Sequence, residues 1–233
     1  MTRVAVVRFP GSNCETESLA AVTRAGGEAI LVDYRETALH QADAVILPGG
    51  FSYGDYLRSG AIARFAPVMT AVKALADEGG AVVGICNGFQ ILCEAHLLPG
   101  ALQRNAQQRF ASRPVDVRIE RIDTVCTVDY APGEVIRIPI AHGEGRYVGD
   151  AETLAMLERE NRIMLRYVPV HGTDTTYNPN GSLNDIAGIC NAAGNVLGFM
   201  PHPERLAEAA LGSDAGQRFF TSLIRAVHAR AAA

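Results

Sequence analysis

No run of this sequence approaches the roughly 18 uninterrupted apolar residues of a membrane span, so no transmembrane segment is expected. The opening residues, Met1-Thr2-Arg3-Val4-Ala5-Val6-Val7, lead into a strand-like run without a secretory h-region and cleavage site, and a cytoplasmic location is expected. Basic residues are not in excess. The net charge is −4 with both signs interspersed, whereas a nucleic-acid binder carries a basic stripe, so no nucleic-acid partner is expected. The five cysteines, Cys14, Cys86, Cys93, Cys126 and Cys190, include no C-x-x-C pair. An odd count with that spacing argues against a disulfide framework and a zinc cluster, and for reduced thiols that mostly serve as small buried hydrophobes. A G-x-x-x-x-G-K-[ST] loop is also missing, which leaves no ATP site expected in this chain. Internal repeats, low-complexity tracts and a dividing linker are absent as well.

What is present suffices for a continuous core: 233 residues, 48% of them hydrophobic. At about 100–200 residues per domain this reads as one domain over 1–233. The first half alternates short apolar runs with helical patterns. Val4–Val7 is a buried strand ending at Phe9-Pro10-Gly11, and Ser12 with Glu15 fits a capping box for a helix that stops at Gly26-Gly27. Ala29–Val32 and Ala44–Leu47 are further strands, the latter broken by Pro48-Gly49-Gly50. A helix is predicted from Pro67 to Asp77, and a fourth strand over Ala81–Ile85. Non-alternating apolar strands separated by helices imply a parallel sheet buried on both faces, a doubly wound α/β architecture. Chemistry in such sheets gathers at the carboxyl ends of the strands.

The second half changes character. Val115, Val117 and Ile119 alternate with polar residues, as do parts of Thr124–Tyr130, which predicts half-solvated antiparallel strands added to the parallel sheet. Ala151–Arg159 reads as a helix. Ile186–Cys190 and Val196–Met200 flank a hairpin turn over 191–195, and a last helix is predicted from Asp214 to Ala229, capped by Ser213 or Asp214.

The most informative stretch is Gly84-Ile85-Cys86-Asn87-Gly88-Phe89-Gln90, where a buried strand runs through G-x-C-x-G into a helix. This is the nucleophile-elbow arrangement with cysteine as the nucleophile. The tight turn lifts the side chain out of the sheet, and the helix aims its N–H groups and positive dipole end at the sulfur. The same N–H groups can hold an oxyanion: Asn87 supplies one, and the Gly49-Gly50 turn at another strand end can supply a second. A cysteine nucleophile needs a base, usually histidine. Of six histidines, His40 and His228 fall on helical, exposed segments and His96 at a helix end. His202, in Met200-Pro201-His202-Pro203-Glu204, follows a predicted strand. Flanking prolines keep it extended, so that Glu204 lies on the same side and can orient the imidazole. His142, in a glycine-rich loop, and His171 are the rivals.

These residues resemble the triad (class I) glutamine amidotransferases, and more narrowly the glutaminase subunits of phosphoribosylformylglycinamidine synthases. The narrower resemblance rests on Phe9–Glu15, Leu47–Arg58, Ile140–Tyr147, Asn178–Ser182 and Met200–Arg205, which span nearly the whole chain in family order. It implies the flavodoxin-like fold of that class, with Cys86 as nucleophile, His202 as general base and acid, and Glu204 as its orienter. It implies Gly50 and Asn87 as oxyanion donors, and Gly49, Gly50, Gln90, Arg104, Asn105, Ala141 and His142 around the glutamine. It also implies a free-standing subunit that assembles with a separate synthetase and a third, small subunit, with ATP and Mg on the synthetase and no cofactor or metal here. The Phe51–Arg58 loop is the expected partner contact, since the triad chemistry does not require Tyr53, Asp55 or Arg58. The alternatives are another cysteine hydrolase or glutaminase on the same architecture, and a non-catalytic binding module.

Overall fold

The computed structural model describes residues 1–169 and 176–231. In chain order the elements are β1 (Arg3–Arg8), α1 (Glu15–Arg24), β2 (Glu28–Asp33), β3 (Ala44–Leu47), α2 (Val68–Asp77), β4 (Ala81–Ile85), α3 (Asn87–Glu94), β5 (Ala101–Gln103), β6 (Ala111–Ile119), β7 (Val135–His142), β8 (Arg146–Val148), α4 (Ala151–Arg159), β9 (Ile163–Tyr167), β10 (Ile186–Cys190), β11 (Val196–Phe199) and α5 (Gln217–Ala231). Among the described residues, nine strands form one sheet in the order β2-β1-β3-β4-β11-β10-β9-β6-β7, and β5 pairs with β8.

The half from β2 to β11 is parallel; β10, β9, β6 and β7 continue it antiparallel. This is the doubly wound sheet with added antiparallel strands that the sequence pattern predicts. Every residue of β3 and β4 is buried, as a strand covered on both faces requires. The α1 and α5 helices pack together. The β1-to-β2 and β3-to-β4 crossovers run in opposite directions along the sheet, which places α2 on the face away from α1. Across β11, Phe199 meets Phe219 of α5, while Gly198 leaves room for Phe89 of α3 on the other side.

Four local expectations are corrected. Ser12 does not cap α1: its Oγ accepts from the Phe9 N–H at 3.0 Å within a tight turn, and Cys14 stands at the cap without a side-chain bond. Thr124–Tyr130 is a turn rather than strand, because Thr124 Oγ1 bonds Thr127 Oγ1 and the Cys126 N–H and so captures the backbone locally. The last helix starts at Gln217, not Asp214, since Gly216 first packs against Pro203, whose carbonyl oxygen lies 2.1 Å from where a Cβ would sit. His40 lies in an exposed turn with φ 51°, not on a helix.

Candidate active site

Three neighbouring parallel strands end side by side. Leu47 of β3 pairs with Gly84 of β4, and Ile85 of β4 with Phe199 of β11. The chain beyond those ends supplies Gly49-Gly50, Cys86 and His202, so register alone gathers the predicted residues at one edge of the sheet. Cys86 has φ 50° and ψ −101°, a strained conformation for a side-chain-bearing residue and the mark of a nucleophile elbow. Its N–H donates to the Phe199 carbonyl at 2.8 Å, and its own carbonyl accepts from Phe89 and Gln90 N–H groups as α3 begins. The flanking glycines are steric requirements. A Cβ on Gly88 would lie 1.9 Å from the Leu47 carbonyl oxygen, and one on Gly84 would lie 2.6 Å from the Gly88 backbone.

His202 is held by its N–H donating to the Pro139 carbonyl of β7 at 2.8 Å. Its Nδ1 meets Glu204 Oε1 at 2.5 Å, with both side chains buried. That pairing is made differently from the extended segment expected: Pro203–Leu206 is a 3-10 turn, and it brings Glu204 back under the ring. Burial opposes a charge on the imidazole, but the Glu204 carboxylate, together with Cys86 and Cys14, outweighs it and holds the His202 pKa well above its ordinary 6.5. With Nδ1 on Glu204, Nε2 is the remaining nitrogen; it is buried and has no hydrogen-bond partner among the described residues.

Cys14 enters this site unforeseen. Its Sγ lies 3.9 Å from His202 Nδ1 and accepts from Arg205 Nη2 at 3.1 Å. The donor atoms of Cys14, His202 and Glu204 fall within 4.8 Å of one another, a metal-ligand set in kind. A hydrogen-bonded relay fits it better, because Nδ1 is committed to Glu204 and the Arg205 cation sits on the sulfur. No spacing in the sequence pairs Cys14 with His202; the Phe9–Glu15 motif was the one signal in that region. All five thiols are free and buried, and burial pushes Cys93, Cys126 and Cys190 upward.

Cys86 opens onto a cleft of about 210 Å³ that Gly50, Gln90, Arg104, Ala141 and His142 also line. Cys86 Sγ lies 3.8 Å from the Ala141 carbonyl. Gly49 stands behind the wall: a Cβ there would lie 2.7 Å from His202 Cε1, so this glycine makes room for the imidazole. Asn105 is fully buried and does not line the cleft. Its amide donates to the Arg109 and His142 carbonyls and accepts from Gly145 N–H and His142 Nδ1. His142, a rival base, is thus pinned with Nε2 bare, and burial with the nearby His202 pushes its pKa down to about 4. The other rival, His171, lies outside the described residues. A chain of bonds from Ser52 N–H to Asn87 Oδ1, Asn87 Nδ2 to Gln90 Oε1, and Gln90 Nε2 to the Glu144 carbonyl ties the glycine turn, the elbow helix and the far wall together.

The loop expected to face a partner divides. Phe51 and Asp55 turn into the cleft, Arg58 is spent on a two-pronged ion pair with Glu94, and Tyr56 and Leu57 are exposed. Asp55, Ser59 and Glu144 are cleft residues that sequence reasoning did not place in the site.

Fold and geometry together define an α/β protein with an elbow cysteine beside a carboxylate-held histidine. The chain belongs to the glutamine amidotransferases, the CobB/CobQ-like glutamine amidotransferase domain family matching residues 1–219. It is 56% identical over 222 residues to the phosphoribosylformylglycinamidine synthase subunit PurQ of Rubrobacter xylanophilus, covering 95% of this chain and 97% of that one. A PurQ of Thermus thermophilus is 55% identical over 97% of this chain and 99% of its own. A chain in the structure of PurLQS from Thermotoga maritima superposes with a TM-score of 0.84 at 42% identity, over 96% of this chain and 98% of that chain. Among the described residues no helix is long and apolar enough to cross a membrane.

Proposed function

We propose that this chain is the glutaminase subunit of a phosphoribosylformylglycinamidine synthase, with Cys86, His202 and Glu204 as its triad. One observation carries the reading: His202 gives Nδ1 to Glu204 and keeps Nε2 free, at the same sheet edge where Cys86 leaves the elbow. A cationic imidazole is the partner a thiolate nucleophile needs. The sulfur attacks the side-chain amide carbon of glutamine, and the oxygen takes the negative charge between the backbone N–H groups of Gly50 and Asn87. Losing one such donor typically costs about 2.7–4 kcal/mol of barrier. Nε2 protonates the departing nitrogen, ammonia leaves, and a glutamyl thioester remains. Nε2 then takes a proton from water, which attacks the thioester and releases glutamate and the thiol. Glu204 holds the ring throughout and stabilises its charge.

Gln90, Arg104 and the Ala141-His142 strand end are the cleft groups that seat the glutamine; Gly49 and Asn105 support it from behind. The likeness to the PurLQS assembly supports passing the ammonia to a synthetase subunit, with a third small subunit in the complex. ATP and Mg2+ act on that synthetase, which makes formylglycinamidine ribonucleotide from formylglycinamide ribonucleotide. The assembly works in the cytoplasm. Exposed Tyr56 and Leu57 beside the cleft mouth are the contact for the synthetase.

The test is Cys86→Ala in the assembled complex. Glutamine-dependent synthesis is abolished while synthesis from added ammonia persists; equal loss of both would make Cys86 structural. Absence of glutamate release from glutamine by the wild-type complex would favour another cysteine hydrolase.

A further inference from the structure

Cys14 is fully buried, yet its sulfur meets three polar groups. The thiol donates to Asn13 Oδ1 at 3.1 Å. Its only proton is spent there, so the sulfur offers lone pairs alone to its other neighbours. One is the Arg205 guanidinium, whose Nη2 donates at 3.1 Å. The other is His202 Nδ1 at 3.9 Å, a long contact that acts on position more than on energy. Burial works against the Arg205 cation, and Cys14, Glu204 and Cys86 favour it.

The backbone that carries Cys14 is fixed independently of the sulfur. Asn13 N–H donates to the Gly49 carbonyl at 3.3 Å, and Ser12 pairs with Gly50 in an isolated β-bridge. The Cys14 carbonyl takes both the N–H and the hydroxyl of Ser18 as α1 begins. Gly49 opens the space in which sulfur and ring meet, since a Cβ there would lie 3.1 Å from Cys14 Sγ and 2.7 Å from His202 Cε1. Glu204 holds the imidazole through one oxygen on Nδ1, and its Oε2 is buried without a partner among the described residues. A ring held at a single point can swing about that bond, and Nε2 swings with it. The sulfur, pinned from two sides, is the second point.

We propose that Cys14 is a positioning residue for His202: its sulfur, held by Arg205 and Asn13, backs the Nδ1 side of the imidazole and keeps Nε2 aimed toward the elbow. This rests on the glutaminase reading above. The titratable groups around the ring are Glu204 and Arg205 from its own turn, Cys14 from the loop after β1, Cys86 from the elbow and His142 from the end of β7. Burial opposes a charge on the ring, and Glu204, Cys86 and Cys14 favour it. Removing the sulfur therefore weakens the cation, and the ring loses its proton at lower pH.

The experiment measures kcat, KM and their pH dependence for glutamine hydrolysis by the reconstituted complex. Cys14→Ala lowers kcat about 3- to 10-fold, the scale of one ordinary hydrogen bond, and leaves KM unchanged because Cys14 lies outside the cleft. The alkaline limb of the kcat profile moves down by about half to one pH unit, the same factor in proton affinity. Cys14→Ser keeps an acceptor and returns both values toward wild type, whereas at a merely space-filling position a buried hydroxyl does worse than alanine. If Cys14→Ala yields no complex, Cys14→Val, also without an acceptor, replaces it with the same expected shift. Alkylation of Cys86 by iodoacetamide at neutral pH slows by the same factor, since an imidazolium favours the thiolate beside it. A limb left at its wild-type pH, or serine no better than alanine, overturns the positioning role. A wild-type complex that releases no glutamate from glutamine overturns the glutaminase reading instead, and the alkylation rates, which need no glutamine, then decide on Cys14.

Discussion

His142 is neutral because its surroundings forbid a charge. Its pKa is about 4 in the fold, against 6.5 for an ordinary imidazole. Between those values the unfolded chain binds more protons than the folded one. The contribution to stability is therefore complete above about pH 6.5 and is lost as pH falls toward about 4, a difference of about 3 kcal/mol. Asp55 has the opposite sign. Its raised pKa contributes stability that is present below the ordinary carboxylate value of 3.8 and lost as pH rises through about 6, and its half-buried position makes the effect smaller. In urea unfolding at pH 4.5 and 7.5, His142→Asn is expected to lose less stability on acidification than wild type, by about 2–3 kcal/mol. An unchanged difference would mean that His142 titrates normally in the fold.

The elbow depends on β3, β4 and α3 approaching more closely than side chains permit. Gly88→Ala would drive a methyl into the Leu47 carbonyl, and the expected cost, about 4 kcal/mol or more, sits at the upper end of single substitutions. Gly79→Ala is the control: φ is +86° but nothing lies within 4 Å, so only the left-handed strain of about 1–2 kcal/mol applies. Denaturation midpoints of the two variants check the contrast; equal losses would show that close approach is not what Gly88 provides. The elbow was legible in sequence because strand, glycines, cysteine and helix are contiguous, and His202 and Glu204 are likewise two residues apart. Cys14 with Arg205, and Asp55 with Glu144, were not legible as pairs. Each meets only because separate loops converge over the sheet edge, 191 residues apart in the case of Cys14 and Arg205. The Thr124–Tyr130 turn misled for a related reason: the four consecutive residues Thr124 to Thr127, with Tyr130, are buried without any strand partner, so its apolar residues follow a turn and not a strand's alternation.

Across the molecule, exposed apolar side chains are scattered, and four of them, Phe51, Tyr56, Leu57 and Phe110, stand at or beside the cleft. Phe51 and Phe110 face each other at 6.5 Å between ring centroids near its mouth, and Tyr56 and Leu57 are 75% and 87% exposed. As a contact for the synthetase, Leu57→Asp is expected to weaken assembly at least about 10-fold, the scale of an interface anchor, with an unchanged circular dichroism spectrum. Undiminished co-elution with the synthetase would move the contact elsewhere. The order of strands has one more result. The strand beside the elbow, β11, is made over a hundred residues after β4, and His202 comes later still. On the triad reading, a segment that stops at α3 carries the elbow thiol without its base, and the two come together only once β11 has docked beside β4.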